Sequence, residues 1–323
     1  LELAKTFTAG GKRLRPAFGY WSYVASAGAP ADADALFRAV ASLDMLHVSA
    51  LVHDDLIDDS DTRRGLPSAH RQLSTLHESL KGSGGSDEFG RSGAILLGDL
   101  LLVWSQELFE RSGLPAEAVG RARGWLEAMR TEVTCGQFLD LSAAGGVTDA
   151  TTHEEELEIA RRVLEYKSAS YSVRRPAQIG AALAGADDQL LAALGEFGSS
   201  LGAAFQLRDD VLGVYGDPGT TGKPSGDDLR EGKRTILVLT ALERADHIQR
   251  DFLTATLGDP ELDDDDVAYA CQVIEETGAL AVVEALILEG SNDALAALER
   301  ADMTKEGRTA LTRLTDLSVQ RDR

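Results

Sequence analysis

Apolar residues recur at steps of three and four along almost the whole of this chain. That spacing narrows the choice of fold more than any other feature. Leu43, Leu46, Ala50 and Leu51 follow it, as do Ile95, Leu96, Leu100, Val103 and Trp104, and again Ile159, Val163, Tyr166 and Ala169. A period near 3.6 belongs to amphipathic helices, whereas half-buried strands alternate with period two. Alternation over strand lengths is nearly absent, valine and isoleucine do not cluster, and only 8 of 323 residues are proline. Alanine and leucine dominate, and both favour helix. The sequence therefore predicts an all-α protein.

The breaks between helices are short and local. Gly28-Ala29-Pro30 ends a first helix, the run from Lys81 to Asp87 reads as a loop, and Gly145-Gly146 closes another helix. Thr152 with Glu155 has the spacing of a capping box. The stretch from Gly216 through Gly226 reads as a long loop, and Gly258-Asp259-Pro260 as a turn. None resembles an interdomain linker and no short-period repeat is present, so one domain over residues 1–323 is expected. The 43% apolar fraction suffices for a large core and argues against disorder. No uninterrupted apolar run reaches the ~18 residues of a bilayer span, so a soluble chain with no transmembrane segment is expected. The opening Leu1-Glu2-Leu3-Ala4 lacks an initiator methionine, which suggests a trimmed natural start. Cys135 and Cys271 have neither metal-ligand spacing nor the number for a disulfide framework. They suit a reducing compartment, and a cytoplasmic location is expected.

Two acidic segments stand at the ends of apolar helical runs. In the first, Asp54 and Asp58 are i,i+4 and share a helix face, with Asp55 beside them and no Lys or Arg in the segment before Arg63. Two carboxylates so placed repel unless a cation lies between them. Carboxylate and water ligands suit Mg²⁺, which commonly completes its shell with substrate phosphate oxygens. The second segment, Phe205-Gln206-Leu207-Arg208-Asp209-Asp210, carries Gly213 at the i+4 position, so one acid is missing there; Asp227 and Asp228 lie downstream. A denser run, Asp263 to Asp266, follows a turn and precedes a helix. It reads as complement to a helix dipole, so density of acid alone is not the signal.

Basic residues alternate with these acids. Gly10-Gly11-Lys12-Arg13-Leu14-Arg15 sets three cations behind a glycine pair, Arg63-Arg64 follows the first acidic segment, and Lys223 and Lys233-Arg234 follow the second. Glycines admit an anion close to backbone N–H groups, and Lys and Arg supply charge and donors. A diphosphate bridged by Mg²⁺ satisfies both sets. The net charge of −21 excludes a general nucleic-acid binder, but segregated charge leaves a diphosphate admissible.

In order and spacing, these motifs resemble those of the trans-isoprenyl diphosphate synthases, the polyprenyl synthetase family. The resemblance spans nearly the whole chain and also takes in Gly136-Gln137, Tyr166-Lys167, Gly222-Lys223 and Gly232-Lys233. It looks closest to bacterial geranylgeranyl diphosphate synthases. It implies a homodimeric all-α barrel of helices around a deep central cavity. Lys12, Arg15 and His47 would hold isopentenyl diphosphate with Arg64. Arg63, Lys167, Gln206, Lys223 and Lys233 would hold the allylic diphosphate, with Ser168 where the family often has threonine. Asp54, Asp58 and Asp209 would ligate Mg²⁺, a trio of ions with substrate bound, and Asp55 and Asp210 would support them.

The implied reaction is head-to-tail prenyl transfer. Diphosphate leaves an allylic carbon, the isopentenyl double bond attacks the cation, and a proton is lost to the released diphosphate. Product length follows from the helix before Asp54, where Ala50, Ser49 and Leu46 flank the Asp54 direction and each turn rises ~5.4 Å, close to one isoprene unit. Family members that stop at C15 commonly carry an aromatic residue four or five positions before the first Asp. Here those positions are Ala50 and Ser49, with Leu46 and Met45 one turn deeper and Trp104 a candidate floor. Geranylgeranyl diphosphate (C20) is the expected product, and a longer polyprenyl diphosphate is the alternative. A class I terpene cyclase shares the first acidic motif but usually lacks the paired Gly-Gly-Lys and Arg-Arg elements. A non-catalytic partner subunit tends to lose the acids kept here.

Overall fold

A computed structural model describes residues 1–216 and 225–319. In chain order the elements are α1 (Glu2–Ala9), α2 (Leu14–Ala27), α3 (Ala33–Ile57), a short hairpin of β1 (Thr62–Arg63) and β2 (Leu66–Pro67), α4 (Ala69–Ser79), α5 (Ser86–Glu110), α6 (Ala116–Ala144), α7 (His153–Val163), a π-helix (Leu164–Arg174), α8 (Arg175–Ala184), α9 (Asp188–Tyr215), α10 (Asp227–Arg230), α11 (Ile236–Arg244), α12 (His247–Thr256), α13 (Asp264–Glu276), α14 (Ala279–Arg300) and α15 (Lys305–Val319). The chain is all-α, as the periodicity predicts, apart from the hairpin, whose strands pair antiparallel with Arg63 opposite Leu66.

Helix starts follow local chemistry. Asp32 caps α3 by accepting from the Ala35 N–H, and Thr152 and Glu155 form the capping box of α7. Asp263 caps α13 through the Asp266 N–H, and the remaining acids of that run fill its first turn. This satisfies orphan N–H groups and opposes the helix dipole.

The long helices pack side by side, α3 on α5, α9 on α14, and the π-helix between α6 and α9. Leu43, Met129 and Ile179 centre one part of the core, and Val211, Leu237 and Val283 another. The π-helix is where the structure departs from the even period read across Ile159 to Ala169. Two glycines let its backbone come in close. A Cβ at Gly136 would lie 2.3 Å from the Lys167 nitrogen, and one at Gly202 would lie 2.6 Å from the Ala169 Cα. One turn before Gly136, Glu132 of α6 accepts from Arg175 Nε at 2.8 Å and from the Ser170 hydroxyl, while Arg174 pairs with Glu165 at 2.7 Å. Steps of three and four suit either helix type over so short a stretch, so only the packing distinguishes them.

Three helices, α3, α5 and α9, are long and apolar enough to cross a membrane by length and composition. Counting unbroken apolar runs misses this, because scattered polar residues interrupt each run without removing its apolar average. In this fold 56% and 50% of the apolar windows of α3 and α9 are buried inside the protein, but only 28% of that of α5. The outer face of α5 exposes Ile95, Leu96, Leu100 and Val103, and α6 exposes Phe138 and Leu141.

Candidate active site

The C-terminal turns of α3, the π-helix and the C-terminal third of α9 face one cavity of about 530 Å³. Of the residues singled out from sequence, Lys12, Asp54, Arg63, Lys167, Ser168, Gln206, Asp209, Asp210 and Lys233 line it. Apolar surface from Leu51, Val163, Leu164, Leu212 and Ile236 shares the same wall. Lys223 lies outside the described residues.

The first acidic segment splits by helix face. Asp54 turns to the cavity, where its Oδ1 accepts from Gln137 Nε2 at 2.9 Å and lies 3.6 Å from Lys167 Nζ. Asp58 ends the helix, its N–H donating to the Asp54 carbonyl at 2.9 Å. Burial and the Asp54 charge push the Asp58 carboxyl up to about 6. Asp55 points the other way, fully buried, and accepts from Arg63 Nε at 2.7 Å and from a second guanidinium nitrogen. That pair aims the Arg63 guanidinium past Asp54, 3.7 Å away. Burial opposes the Lys167 charge, yet Asp54 and Asp140 outweigh it and raise its pKa.

The second segment is built differently. Burial, then Asp228, pushes the Asp210 carboxyl up to about 8, and Gln206 Nε2 donates to it at 2.7 Å. Lys233 pairs with Asp228 at 3.0 Å and with Glu231. These acids hold its pKa well above the ordinary lysine value despite burial. Gly213 leaves room for this arrangement, because a Cβ there would lie 1.9 Å from Asp228 Oδ2. The acid absent from the motif is thus replaced in space by a carboxylate from α10.

A second basic group gathers beside α3. A Cβ on Gly11 (φ +101°) would lie 2.8 Å from Arg64 Nη2, so the glycine is needed both for its backbone and for that approach. Arg13 pairs with Asp44 of α3. Arg15 donates to Ser172 Oγ at 2.8 Å and lies over the Tyr171 ring, 4.2 Å from its centroid. The Tyr171 hydroxyl is 3.1 Å from His47 Nδ1. Burial first, then the charges of Arg15, Arg64, Arg63 and Arg13, hold His47 well below its ordinary pKa. Burial likewise pushes Tyr171 up to about 12.

Sequence reasoning missed Asp140 and Tyr171 and gave Arg13 and Gln137 no role of their own. A signal existed for two of them, since Gln137 and Asp140 are i,i+3 on α6 and so share a face. The residues proposed to set product length sit apart from the cavity lining. Leu46 is buried against α6 and α8, Ala50 is half-buried beside it, and Ser49 donates to the Gly98 carbonyl of α5 at 2.7 Å. Met45 and Trp104 pack into one cluster with Val48, Val52 and Leu101.

Among the described residues, no three His, Cys, Asp or Glu side chains converge as a ready-made metal cage. The donors facing the cavity, Asp54, Asp140, Asp209, Asp210 and Asp228, are nevertheless hard carboxylate oxygens, with Asp58 one turn beyond Asp54. This set fits Mg²⁺ completed by substrate oxygens.

The sequence pattern of the polyprenyl synthetase family matches residues 2–274. The short chain isoprenyl diphosphate synthase of Methanothermobacter thermautotrophicus is 32% identical over 318 residues, 98% of this chain and 88% of that one. The nonaprenyl diphosphate synthase of Mycobacterium tuberculosis is 30% identical, covering 99% and 86% of the two chains. A geranylgeranyl pyrophosphate synthase from Corynebacterium glutamicum, solved with isoprenyl diphosphate and magnesium, superposes with a TM-score of 0.93 at 38% identity over 99% of this chain and 91% of that one. An all-α fold around a cavity with facing acids and flanking cations defines a prenyl-transferring enzyme. The chain belongs to the polyprenyl synthetase family.

The Asp55–Arg63 pair yields a stability prediction. Asp55→Ala leaves the buried guanidinium with Asp54 at 3.7 Å as its nearest ion-pair partner and should cost about 3–5 kcal/mol in denaturant unfolding. The double variant Asp55→Ala/Arg63→Ala should lose less than Asp55→Ala alone. A double variant less stable than the single one would refute this role for Asp55.

Proposed function

We propose that this enzyme condenses isopentenyl diphosphate with an allylic diphosphate and releases geranylgeranyl diphosphate as its main product. The observation that carries this reading is the gathering of two sets of anion-binding side chains at one acid-lined cavity. Arg63, Lys167, Gln206 and Lys233 line the cavity itself, and Arg15, His47 and Arg64 gather beside it. A reaction that joins two diphosphate esters needs both.

Asp54, Asp58 and Asp209 would hold Mg²⁺, which when bound supplies positive charge to the departing diphosphate. The protein's own part is electrostatic and positional. Lys167, Lys233 and Arg63 stand ready for the negative charge that develops on the leaving oxygens. The allylic C–O bond breaks with its electron pair on diphosphate, the isopentenyl double bond forms the new C–C bond, and the proton lost goes to the released diphosphate. Leu51, Val163, Leu164 and Ile236 offer an apolar wall to the growing chain and keep water from the cation.

Geranylgeranyl product is supported by the likeness to the geranylgeranyl pyrophosphate synthase of Corynebacterium glutamicum and by the small residues Ser49 and Ala50 in the sequence before Asp54. A homodimer is supported by the exposed apolar face of α5, with Ile95, Leu96, Leu100 and Val103, since a patch of this kind calls for a partner. Two free thiols, one of them exposed, favour a reducing cytoplasm.

Product chromatography with dimethylallyl, geranyl or farnesyl diphosphate, each with isopentenyl diphosphate and Mg²⁺, tests the assignment. Hydrocarbon or alcohol formed from an allylic diphosphate alone would instead identify a cyclase. Asp54→Ala should lower turnover by about 10²–10³ with an unchanged circular dichroism spectrum, and near-wild-type turnover would sink the metal assignment. Ala50→Phe should shift product from C20 toward C15; unchanged C20 output would overturn the ruler. Sedimentation velocity should show a dimer that Leu96→Glu/Val103→Glu converts to monomer, and a monomeric wild type would refute the interface.

A further inference from the structure

Tyr171 touches both sides of the basic group beside α3, yet nothing in the motif pattern gives it a task. It is 4% exposed and sits within the π-helix, four residues after Lys167. Its ring face lies under Arg15 and its hydroxyl lies 3.1 Å from His47 Nδ1. Among the described residues, His47 Nε2 has no hydrogen-bond partner. The groups acting on His47 are the guanidiniums of Arg13, Arg15, Arg63 and Arg64, together with this phenol. Burial among four cations keeps the imidazole neutral, so it carries a single N–H, and the position of that proton decides what the ring can bind.

With the proton on Nδ1, the ring would donate to the tyrosine oxygen and turn the Nε2 lone pair outward. A lone pair repels a diphosphate oxygen. With the proton on Nε2, Nδ1 accepts from the phenol and the free edge of the ring becomes a donor. A protonated phenol is the better donor of this pair, and Tyr171 stays protonated because burial raises its pKa to about 12.

We propose that Tyr171 is a positioning residue of the isopentenyl diphosphate pocket: its hydroxyl donates to His47 Nδ1 and fixes the imidazole proton on Nε2, where a neutral histidine donates to the diphosphate. The same ring holds Arg15 by a cation–π contact, and Ser172 fixes the guanidinium from the other end. One residue thereby orients two anion-binding groups without touching the anion. The proposal rests on the reading of this basic group as the isopentenyl diphosphate site.

Tyr171→Phe keeps the ring and removes only the hydroxyl. It should raise KM for isopentenyl diphosphate about tenfold, the size of a lost hydrogen bond to a charged group, and leave KM for the allylic diphosphate within about twofold. His47→Gln puts an amide donor in place of Nε2 with no tautomer to choose, so in that background Tyr171→Phe should add nothing. Nitrogen-15 spectra of the selectively histidine-labelled, ligand-free enzyme should show His47 protonated on Nε2 and hydrogen-bonded at Nδ1. They should show mixed tautomers in Tyr171→Phe. An Nδ1-protonated wild type overturns the proposal, as does an unchanged KM for isopentenyl diphosphate in Tyr171→Phe. An effect of equal size in the His47→Gln background, or an equal rise in both KM values, overturns it too. The underlying site assignment fails separately, if Arg15→Gln leaves KM for isopentenyl diphosphate unchanged.

Discussion

Much of this molecule is organised by the cost of holding like charges together away from water. Asp54 and Asp58 share the end of an apolar helix, and Asp210 is buried beside Asp228. Each group is tolerable only because cations from other elements stand against it, Lys167 and Arg63 for the first and Lys233 for the second. A buried charge without such a partner costs several kcal/mol, so these contacts constrain where the π-helix, the hairpin and the segment after α10 can lie. Burial and the neighbouring acids still hold the Asp58 and Asp210 carboxyls above their ordinary pKa.

Close backbone approach is the second requirement. Gly136 and Gly202 let α6 and α9 clamp the π-helix, and Glu132 ties it down through Ser170 while holding Arg175 at the start of α8. The wider turn carries Lys167 to the cavity and Tyr171 to the neighbouring basic group. π-Helical turns are uncommon and concentrate at functional sites. Here one such segment serves both cationic groups.

The helical class, the capping box at Thr152, the acidic helix start at Asp263 to Asp266 and the two acidic segments were all legible in the sequence. Each depends on residues within a turn or two of one another. Most of the residues singled out for diphosphate also line one cavity. Asp55 shows where local reading stops. It lies beside Asp54 in the chain, but about 100° around the helix it faces the core and serves Arg63. Gly213 is a second instance. The sequence shows a missing acid, and only the fold shows Asp228 in its space. Tyr171 gave little local sign, because its partners His47 and Arg15 are remote in the chain.

What the sequence determined alone was the kind of backbone and the inventory of charge, since helix periodicity and motif spacing are short-range properties. It also supported the exclusion of nucleic acid and the expectation of a diphosphate. Which carboxylate faces the cavity, which cation answers it, and which nitrogen of His47 is free were decided by tertiary structure. The physical reason is that desolvation and Coulomb energies depend on distances between helices far apart in the chain, and those distances exist only once the helices have packed.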